Sequence, residues 1–289
     1  MAEEEANTGP DPRERSREAW DRAAPGWSRR REMFSAAGEP VSRKLVELAR
    51  LEPGQDVLEV ACGLGDTGLM AAAAVAPGGR VLVTDSSEAM VEAARERIET
   101  EAPEGAHMEA RQLEAEWLDV SAAQLDAVVS RWGYMLLPDP EAGMREARRV
   151  LKPGGRLSIG VWGPREENPW IGLVQEQLER QGVAPPVDDA EPGMFALSRP
   201  GALEEAMGAA GFIEPVVEAV PVAWSSASLD ERWEEMLETS VSLPAALKAL
   251  SPAEHYAVRE AVDEALAPYV AADGSVTLPG LSLVAAAEA

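Results

Sequence analysis

Across residues 55–162 short apolar runs alternate with amphipathic stretches, and that alternation leaves few folds open to the chain. Residues 56–61 (DVLEVA), 80–85 (RVLVTD), 106–113 (AHMEARQL), 125–130 (LDAVVS) and 155–162 (GRLSIGVW) read as five strands. Helical patterns occupy 66–76, 87–101 and 140–151. Strands and helices alternating at this interval predict an α/β unit: a parallel sheet with helices on both faces, joined by right-handed crossovers. The turns agree, since LEPGQ, APGGR and LKPGGR precede the first, second and fifth strands. Each places Pro and Gly where a helix must stop and the chain reverse.

Outside that stretch the alternation lapses. Residues 1–12 combine charge with Gly and Pro and read as a disordered tail. Residues 13–37 are helical in pattern, with Trp20 and Trp27 seven apart on one face and a break expected at Pro25 and Gly26. Beyond Trp162, helices are expected at 168–182, 201–210, 229–248 and 251–271. Strands are expected at 212–222 and 277–287, and a Pro-rich loop at 183–200. The resulting organisation is an N-terminal helical cover (13–50), a core (51–163), a lid insertion (164–200), a core helix and strand (201–222), a C-terminal helical insertion (223–275) and a last core strand (276–289).

Composition removes several classes of function. Acidic residues outnumber basic ones 51 to 26, a formal net charge of −25, and no segment gathers the Lys and Arg that a phosphate backbone needs. Nucleic acid and anionic membrane surfaces are therefore not expected partners. Cys62 is the single cysteine, which excludes an internal disulfide and a Cys-based zinc site, and no metal constellation is apparent. No apolar run approaches the ~20 residues of a membrane span, and the acidic N-terminus lacks an export signal's basic and apolar regions. A soluble, cytoplasmic protein, monomeric or homodimeric, is expected.

The most informative segment is LEVACGLGDTG, residues 58–68, running from the end of the first strand into a helix. Gly63, Gly65 and Gly68 spell GxGxxG, and Asp85 ends the second strand about 20 residues on, where a ribose-binding acid belongs. Taken alone, this pattern admits a dinucleotide and hence an NAD-dependent oxidoreductase. Glu59 and Asp66 beside the glycines would repel a diphosphate by about a few kcal/mol and favour a cation.

VLEVACGLGDTG, then VLVTDSSEAMVEAARER, then LDAVVSRWGYMLLPDPEAGMREARRVLKPGGRLSIGVW, closely resemble class I S-adenosylmethionine-dependent methyltransferases, within them the ubiquinone/menaquinone C-methyltransferase-like group. The resemblance is specific over 51–162 and looser through AGFIEPVVE to the last strand. It implies a Rossmann-like, doubly wound, mostly parallel seven-stranded sheet with the last strand antiparallel, plus helical lid insertions. It also implies S-adenosyl-L-methionine as cofactor, S-adenosyl-L-homocysteine as product and a small-molecule methyl acceptor.

Site residues follow from the same resemblance. Glu59 matches the acid expected to hold the methionine ammonium, while Ala61, Gly63 and Gly65 match the turn beneath methionine and ribose, with Ala61 standing where many members have Gly. Asp85 matches the ribose-hydroxyl acid, Ser86 the next backbone contact and Met90 an apolar contact to adenine, although Met90 suits helix packing equally well. Glu114 falls where an Asp usually meets the adenine amino group, with Leu113 and Ala115 flanking the ring; a solvated carboxylate at a helix start is the alternative. Ser130 and Arg131 end the fourth strand near the sulfonium.

In-line methyl transfer needs chiefly alignment and a dry site, so no universal catalytic residue is implied. Candidates for a base or a polar catalytic group are Tyr134, Arg131 and, on the helix SPAEHYAVREAV, His255. His107, at the start of the third strand, is expected to be structural. Trp27, Trp132, Tyr134, Trp162, Trp170 and Phe195 suggest an aromatic wall for an apolar or aromatic acceptor, a secondary metabolite or a quinone-like molecule. A non-catalytic S-adenosylmethionine-binding module is the remaining alternative.

Overall fold

The computed structural model describes residues 11–189 and 191–289. Strands β1 (Asp56–Val60), β2 (Arg80–Asp85), β3 (His107–Gln112), β4 (Leu125–Arg131), β5 (Leu151–Trp162), β6 (Ile213–Ser226) and β7 (Val276–Glu288) make one sheet in the order β3-β2-β1-β4-β5-β7-β6. β1 to β5 pair in parallel, and β7 lies antiparallel between β5 and β6. β1 and β4 are covered on both faces, which is why VLEV and AVVS read as nearly continuous apolar runs. The strand order reverses between β1 and β4, and ligands in open α/β sheets bind outside the carboxyl ends of strands at that point.

Two helices precede the sheet, α1 (Pro12–Arg29) and α2 (Arg31–Ala49). α3 (Asp66–Val75), α4 (Glu88–Glu101) and α5 (Pro140–Val150) are the crossovers. After β5 come α6 (Pro169–Arg180) and α7 (Ala202–Ala209), and between β6 and β7 lie α8 (Leu229–Thr239), α9 (Leu243–Leu247) and α10 (Pro252–Leu266). α2 packs across β4 to β7, whereas α1 leaves the sheet and rests on α4 and α8. Among the described residues no helix is long and apolar enough to cross a membrane.

Several boundaries differ from the sequence expectation for identifiable reasons. Residues 1–10 of the expected tail lie outside the described residues. Asp11 caps α1, accepting from the Arg13 N–H at 3.0 Å, and Pro12 opens the helix. α1 does not break at Pro25 and Gly26 but continues to Arg29, the break falling at Arg30. Packing outweighs the proline there: Ala23, Ala24 and Gly26 are buried, and the Gly26 backbone lies so near α8 that a Cβ would meet the Glu238 carbonyl oxygen at 1.8 Å. β5 begins at Leu151 rather than 155. β6 runs on to Ser226, paired with β7 as far as Val276, so the helical insertion starts beyond 226 rather than at 223. The expected helix 229–248 is two, because Pro244, with no N–H to donate, stands in the first turn of α9 and starts a new helix. Residues 251–271 divide into α10 and a 3-10 turn at Ala267–Tyr269.

The α1–α8 crossing gives a direct test. Gly26→Ala forces these helices apart against a backbone atom and is expected to cost about 1–3 kcal/mol, seen as a lower urea midpoint at unchanged slope. An unaltered midpoint would show that α1 can leave α8 without penalty.

Candidate active site

A cleft opens at the carboxyl ends of β1, β2 and β4, beneath α1, with about 910 Å³ of empty space counting the open solvent at its mouth. Its floor is the turn after β1, with Ala61, Gly63 and Leu64 exposed to it, and its far wall is Asp85, Ser86 and Met90. Glu114 and Glu116 stand on one side, Arg131 and Trp132 on the other, and Ser16, Trp20 and Trp27 of α1 close over it.

The floor depends on unusual backbone. Ala61, Gly63 and Gly65 have φ of 52°, 52° and 79°, all left-handed, so the chain turns tightly from β1 into α3. Ala61 holds this conformation with a Cβ and so carries about 1 kcal/mol or more of strain. Gly68, the third glycine, has a different task. A Cβ there would lie 2.4 Å from Val83 Cγ1 and 2.6 Å from Glu59 Oε2, so its absence lets α3 settle on the sheet and lets the Gly68 N–H donate to Glu59 at 2.8 Å.

The two acids beside the turn do not act as their positions in sequence suggested. Glu59 is 1% exposed, lies under the turn rather than in the cleft, and burial pushes its carboxyl up to about 8, so it is largely neutral at pH 7. Asp66 is charged but engaged. Although burial works against its ionisation, the guanidiniums of Arg131 (2.8 Å) and Arg97 (2.6 Å), with the Ser35 hydroxyl (2.8 Å), hold it below the usual carboxylate range. Neither acid therefore stands free toward the cleft: Glu59 accepts from the Gly68 N–H beneath the turn, and Asp66 is already paired with two guanidiniums.

Asp85 behaves differently. Its Oδ2 accepts from the Gly63 N–H and its Oδ1 from the Ser87 N–H, both at 2.9 Å, so the carboxylate is locked against the turn while facing the cleft. Burial raises it to about 6 against those two donors, leaving it ionised at neutral pH. Glu116 receives two hydrogen bonds from Arg13 at 2.9 Å, and Glu114 lies 3.5 Å from Arg17. Asp21 accepts from the Ser87 hydroxyl at 2.6 Å and the Ala89 N–H at 3.2 Å, tying α1 to the start of α4.

Of the residues singled out from sequence, Ala61, Gly63, Asp85, Ser86, Met90 and Glu114 meet at the cleft, as do Arg131, Trp132 and Trp27. Gly65, Leu113, Ala115 and Ser130 support it from behind: Gly65 caps α3, the Leu113 N–H bonds the Asp85 carbonyl, Ala115 is core and the Ser130 side chain is buried. Tyr134, Trp162, Trp170 and Phe195 belong to the core cluster or pack on it and do not line the cleft. Tyr134 is 1% exposed, its hydroxyl reaches only toward the Gly143 carbonyl at 3.5 Å, and burial raises the phenol further above its ordinary value, which unfits it as a base. His255 sits on α10 against Trp233, 6.4 Å between ring centroids, and outside the cleft lining. Arg131 offers the cleft a guanidinium, which donates hydrogen bonds and has no lone pair to accept a proton.

The lining residues that the sequence did not single out include Arg13, Ser16, Trp20, Leu64, Glu116 and Leu137. The signal was present in part. Trp20 and Trp27 share a helix face, and Arg13 and Arg17, one turn apart, match Glu114 and Glu116 in charge, but nothing local places the two pairs opposite each other.

Glu59 yields a pH test. Its folded value near 8 stands above an unfolded value of about 4.3, so the native state holds an extra proton between them and stability falls as pH rises through that window, levelling off above 8. Glu59→Gln removes this titration while keeping an acceptor for Gly68. Relative to wild type it is expected to gain at least about 1 kcal/mol between pH 5 and pH 8 in urea unfolding; parallel pH profiles would contradict the assignment.

Residues 57–155 match the family described as methyltransferase domain. The chain is 32% identical over 186 residues to nocamycin O-methyltransferase of Saccharothrix syringae, covering 61% of this chain and 65% of that protein. It is 34% identical over 152 residues to demethylmenaquinone methyltransferase of Symbiobacterium thermophilum, covering 51% and 60%. The chain thus spans less than two thirds of the length of either relative. Among solved structures, phosphoethanolamine N-methyltransferase 2 of Haemonchus contortus, in complex with S-adenosyl-L-methionine, aligns with a TM-score of 0.56 at 19% identity, over 94% of this chain and 59% of that one. Residues 57–155 accordingly match the methyltransferase-domain family, and the sheet around them has the Rossmann-like fold of the solved methyltransferase.

Proposed function

We propose that the chain is an S-adenosylmethionine-dependent methyltransferase acting on a small apolar or aromatic acceptor by in-line transfer. The observation that carries this is Asp85, an ionised carboxylate locked to the glycine turn by the Gly63 and Ser87 N–H groups and open to the cleft. A carboxylate so fixed suits a ribose diol, which donates two hydrogen bonds.

The other lining groups fit the same cofactor. Met90 shares a buried cluster with Leu64 and Ala24 and lines the cleft, an apolar surface suited to adenine. Glu114 stands beside it as a hydrogen-bond acceptor. Trp20 and Trp27, with ring centroids 5.4 Å apart, cover the cleft with aromatic surface compatible with a sulfonium. When bound, S-adenosylmethionine supplies an electrophilic methyl group on a positively charged sulfur.

The protein's own share is alignment and exclusion of water. The turn and Asp85 orient from below, α1 keeps solvent out from above, and Arg131 with Trp132 borders the side from which an acceptor approaches. With Tyr134 and His255 both outside the cleft lining, proximity and desolvation carry the rate. Support for a small-molecule acceptor comes from the two relatives, whose names place their own methyl transfer on nocamycin and demethylmenaquinone.

The test is a thermal shift with S-adenosylhomocysteine beside NAD. At a hundredfold excess over its dissociation constant a native-state ligand adds about 2.7 kcal/mol, so S-adenosylhomocysteine is expected to raise the midpoint and NAD to leave it unchanged. No shift with millimolar S-adenosylhomocysteine would sink the proposal. Asp85→Ala is expected to weaken that binding by about ten- to a hundredfold, the loss of charge-assisted bonds. Because Asp85 must be ionised to accept them, wild-type affinity is expected to fall as pH drops through about 6, and to be flat with pH in Asp85→Asn. Calorimetric titration across that range checks both.

A further inference from the structure

Ser87, the residue that caps α4, is fully buried and stands where the end of β2, the start of α4 and the middle of α1 meet. Its N–H donates to Asp85 Oδ1 at 2.9 Å, and its hydroxyl oxygen accepts from the Met90 N–H at 3.2 Å. The same hydroxyl gives its proton to Asp21 Oδ1 on α1 at 2.6 Å. Asp85 and Met90 line the cleft, whereas Asp21 stands behind it.

A hydroxyl has one proton and turns it toward its acceptor, so the Asp21 carboxylate fixes which way Ser87 faces. Asp21 Oδ1 also accepts from the Ala89 N–H at 3.2 Å, and a single oxygen of α1 thus grips the first turn of α4 at two points. Bonds to a carboxylate are about twice as strong as those between neutral groups, and a negative charge at a helix start gains about 0.3–1 kcal/mol more. Arg13 and Arg17, the other charged links of α1 to the cleft, are partly solvated and hold it less firmly. Trp20, which covers the cleft, directly precedes Asp21, so the roof and the ribose carboxylate are tied to the same point of α1.

We infer that Asp21 is a positioning residue of the cleft: through Ser87 it sets the aim of the Asp85 carboxylate and the seat of Met90, so that docking of α1 and completion of the site are one event. A ligand that bonds Asp85 then favours the docked helix, and the docked helix favours the ligand by the same factor. The inference rests on the methyltransferase proposal only for the identity of that ligand. Asp21 lies outside the matched residues 57–155, so the site is completed by a segment that the family match does not include.

Asp21→Ala and Asp21→Asn in the full chain separate positioning from mere support of α1. Asn keeps Oδ1, the atom that takes both bonds, and Ala does not. Without ligand, amide hydrogen exchange is read at Ser87 and Gly63, whose N–H groups hold Asp85, against core amides of β4. Relative to those, the two amides are expected to exchange about fivefold or more faster in Asp21→Ala and to recover most of their protection in Asp21→Asn. Calorimetric titration with S-adenosylhomocysteine is expected to show binding about fivefold or more weaker in Asp21→Ala, again mostly recovered in Asp21→Asn. A lower unfolding midpoint in Asp21→Ala with either the two amides or the affinity unchanged overturns the inference, because Asp21 then only pins α1. Equal losses in the two variants overturn it as well, since the retained oxygen would count for nothing. If the wild type does not bind S-adenosylhomocysteine, the methyltransferase proposal falls, and the exchange measured without ligand still decides the role of Asp21.

Discussion

A single carboxylate shared by two guanidiniums organises the ground around the glycine turn. Asp66 begins α3 and binds Arg97 from α4, Arg131 from the end of β4 and Ser35 from α2, so four elements meet on one side chain. Charges taken this far out of water are tolerable only when each finds close partners, and removing one member of such a pair typically costs about 3–5 kcal/mol. Arg131 therefore takes its place from Asp66 as much as from β4. Trp132, the next residue, follows it into the cleft wall with φ of 62°, a left-handed conformation that a bulky residue holds only where its surroundings insist. The Trp132 indole N–H bonds Ser282 at 3.1 Å on β7, which supplies part of that insistence.

This arrangement changes how the charge of the site is counted. Five acids crowd the cleft in sequence terms, but they are not equivalent in space. Glu59 is neutralised by protonation, Asp66 by two arginines, Glu116 by Arg13 and Glu114 in part by Arg17. The hydrogen bonds to Asp85 come instead from backbone N–H groups, which steady a carboxylate without cancelling its charge. The carboxylate of the cleft that keeps its charge without a guanidinium partner is thus Asp85 rather than either acid nearest the glycines.

The frame of the molecule was legible because it obeys short-range rules. Strands buried on both faces must be apolar throughout, crossover helices must be amphipathic, and the Gly-rich turn must sit between the first strand and helix; all three leave marks in adjacent residues. What escaped depended on partners far along the chain. Arg97 and Arg131 stand 31 and 65 residues from the Asp66 they neutralise, so two acids beside a turn looked free. Pro25 was a sound local reason to end a helix, overridden by the α8 contact at Gly26. Trp224 went unnoticed because the strand was ended at 222. The alternation through Val220, Val222, Trp224 and Ser226, each buried, was the available sign that β6 continues and turns that ring inward.

The cover over the cleft also divides by magnitude. Arg13–Glu116 and Arg17–Glu114 are the visible links between α1 and the loop after β3, but both arginines are partly solvated, and exposed ion pairs contribute about 0.2–1 kcal/mol. Trp20 and Trp27 pack with Ala24 against Leu64 and Met90, and Trp27 stacks on Phe34 at 3.8 Å. Burying one large apolar side chain is worth about 1.5–3 kcal/mol, so these rings outweigh the ion pairs. The two ends of α1 are therefore held unequally. Its first turns rest on solvated pairs, while its last turns are fixed by the Gly26 contact with α8, the Trp27 indole bond to Thr239 at 3.0 Å and Arg30 on Glu238 at 2.7 Å. A helix so mounted yields first at its N-terminal end, the end that stands over Glu114 and Glu116 at the mouth of the cleft.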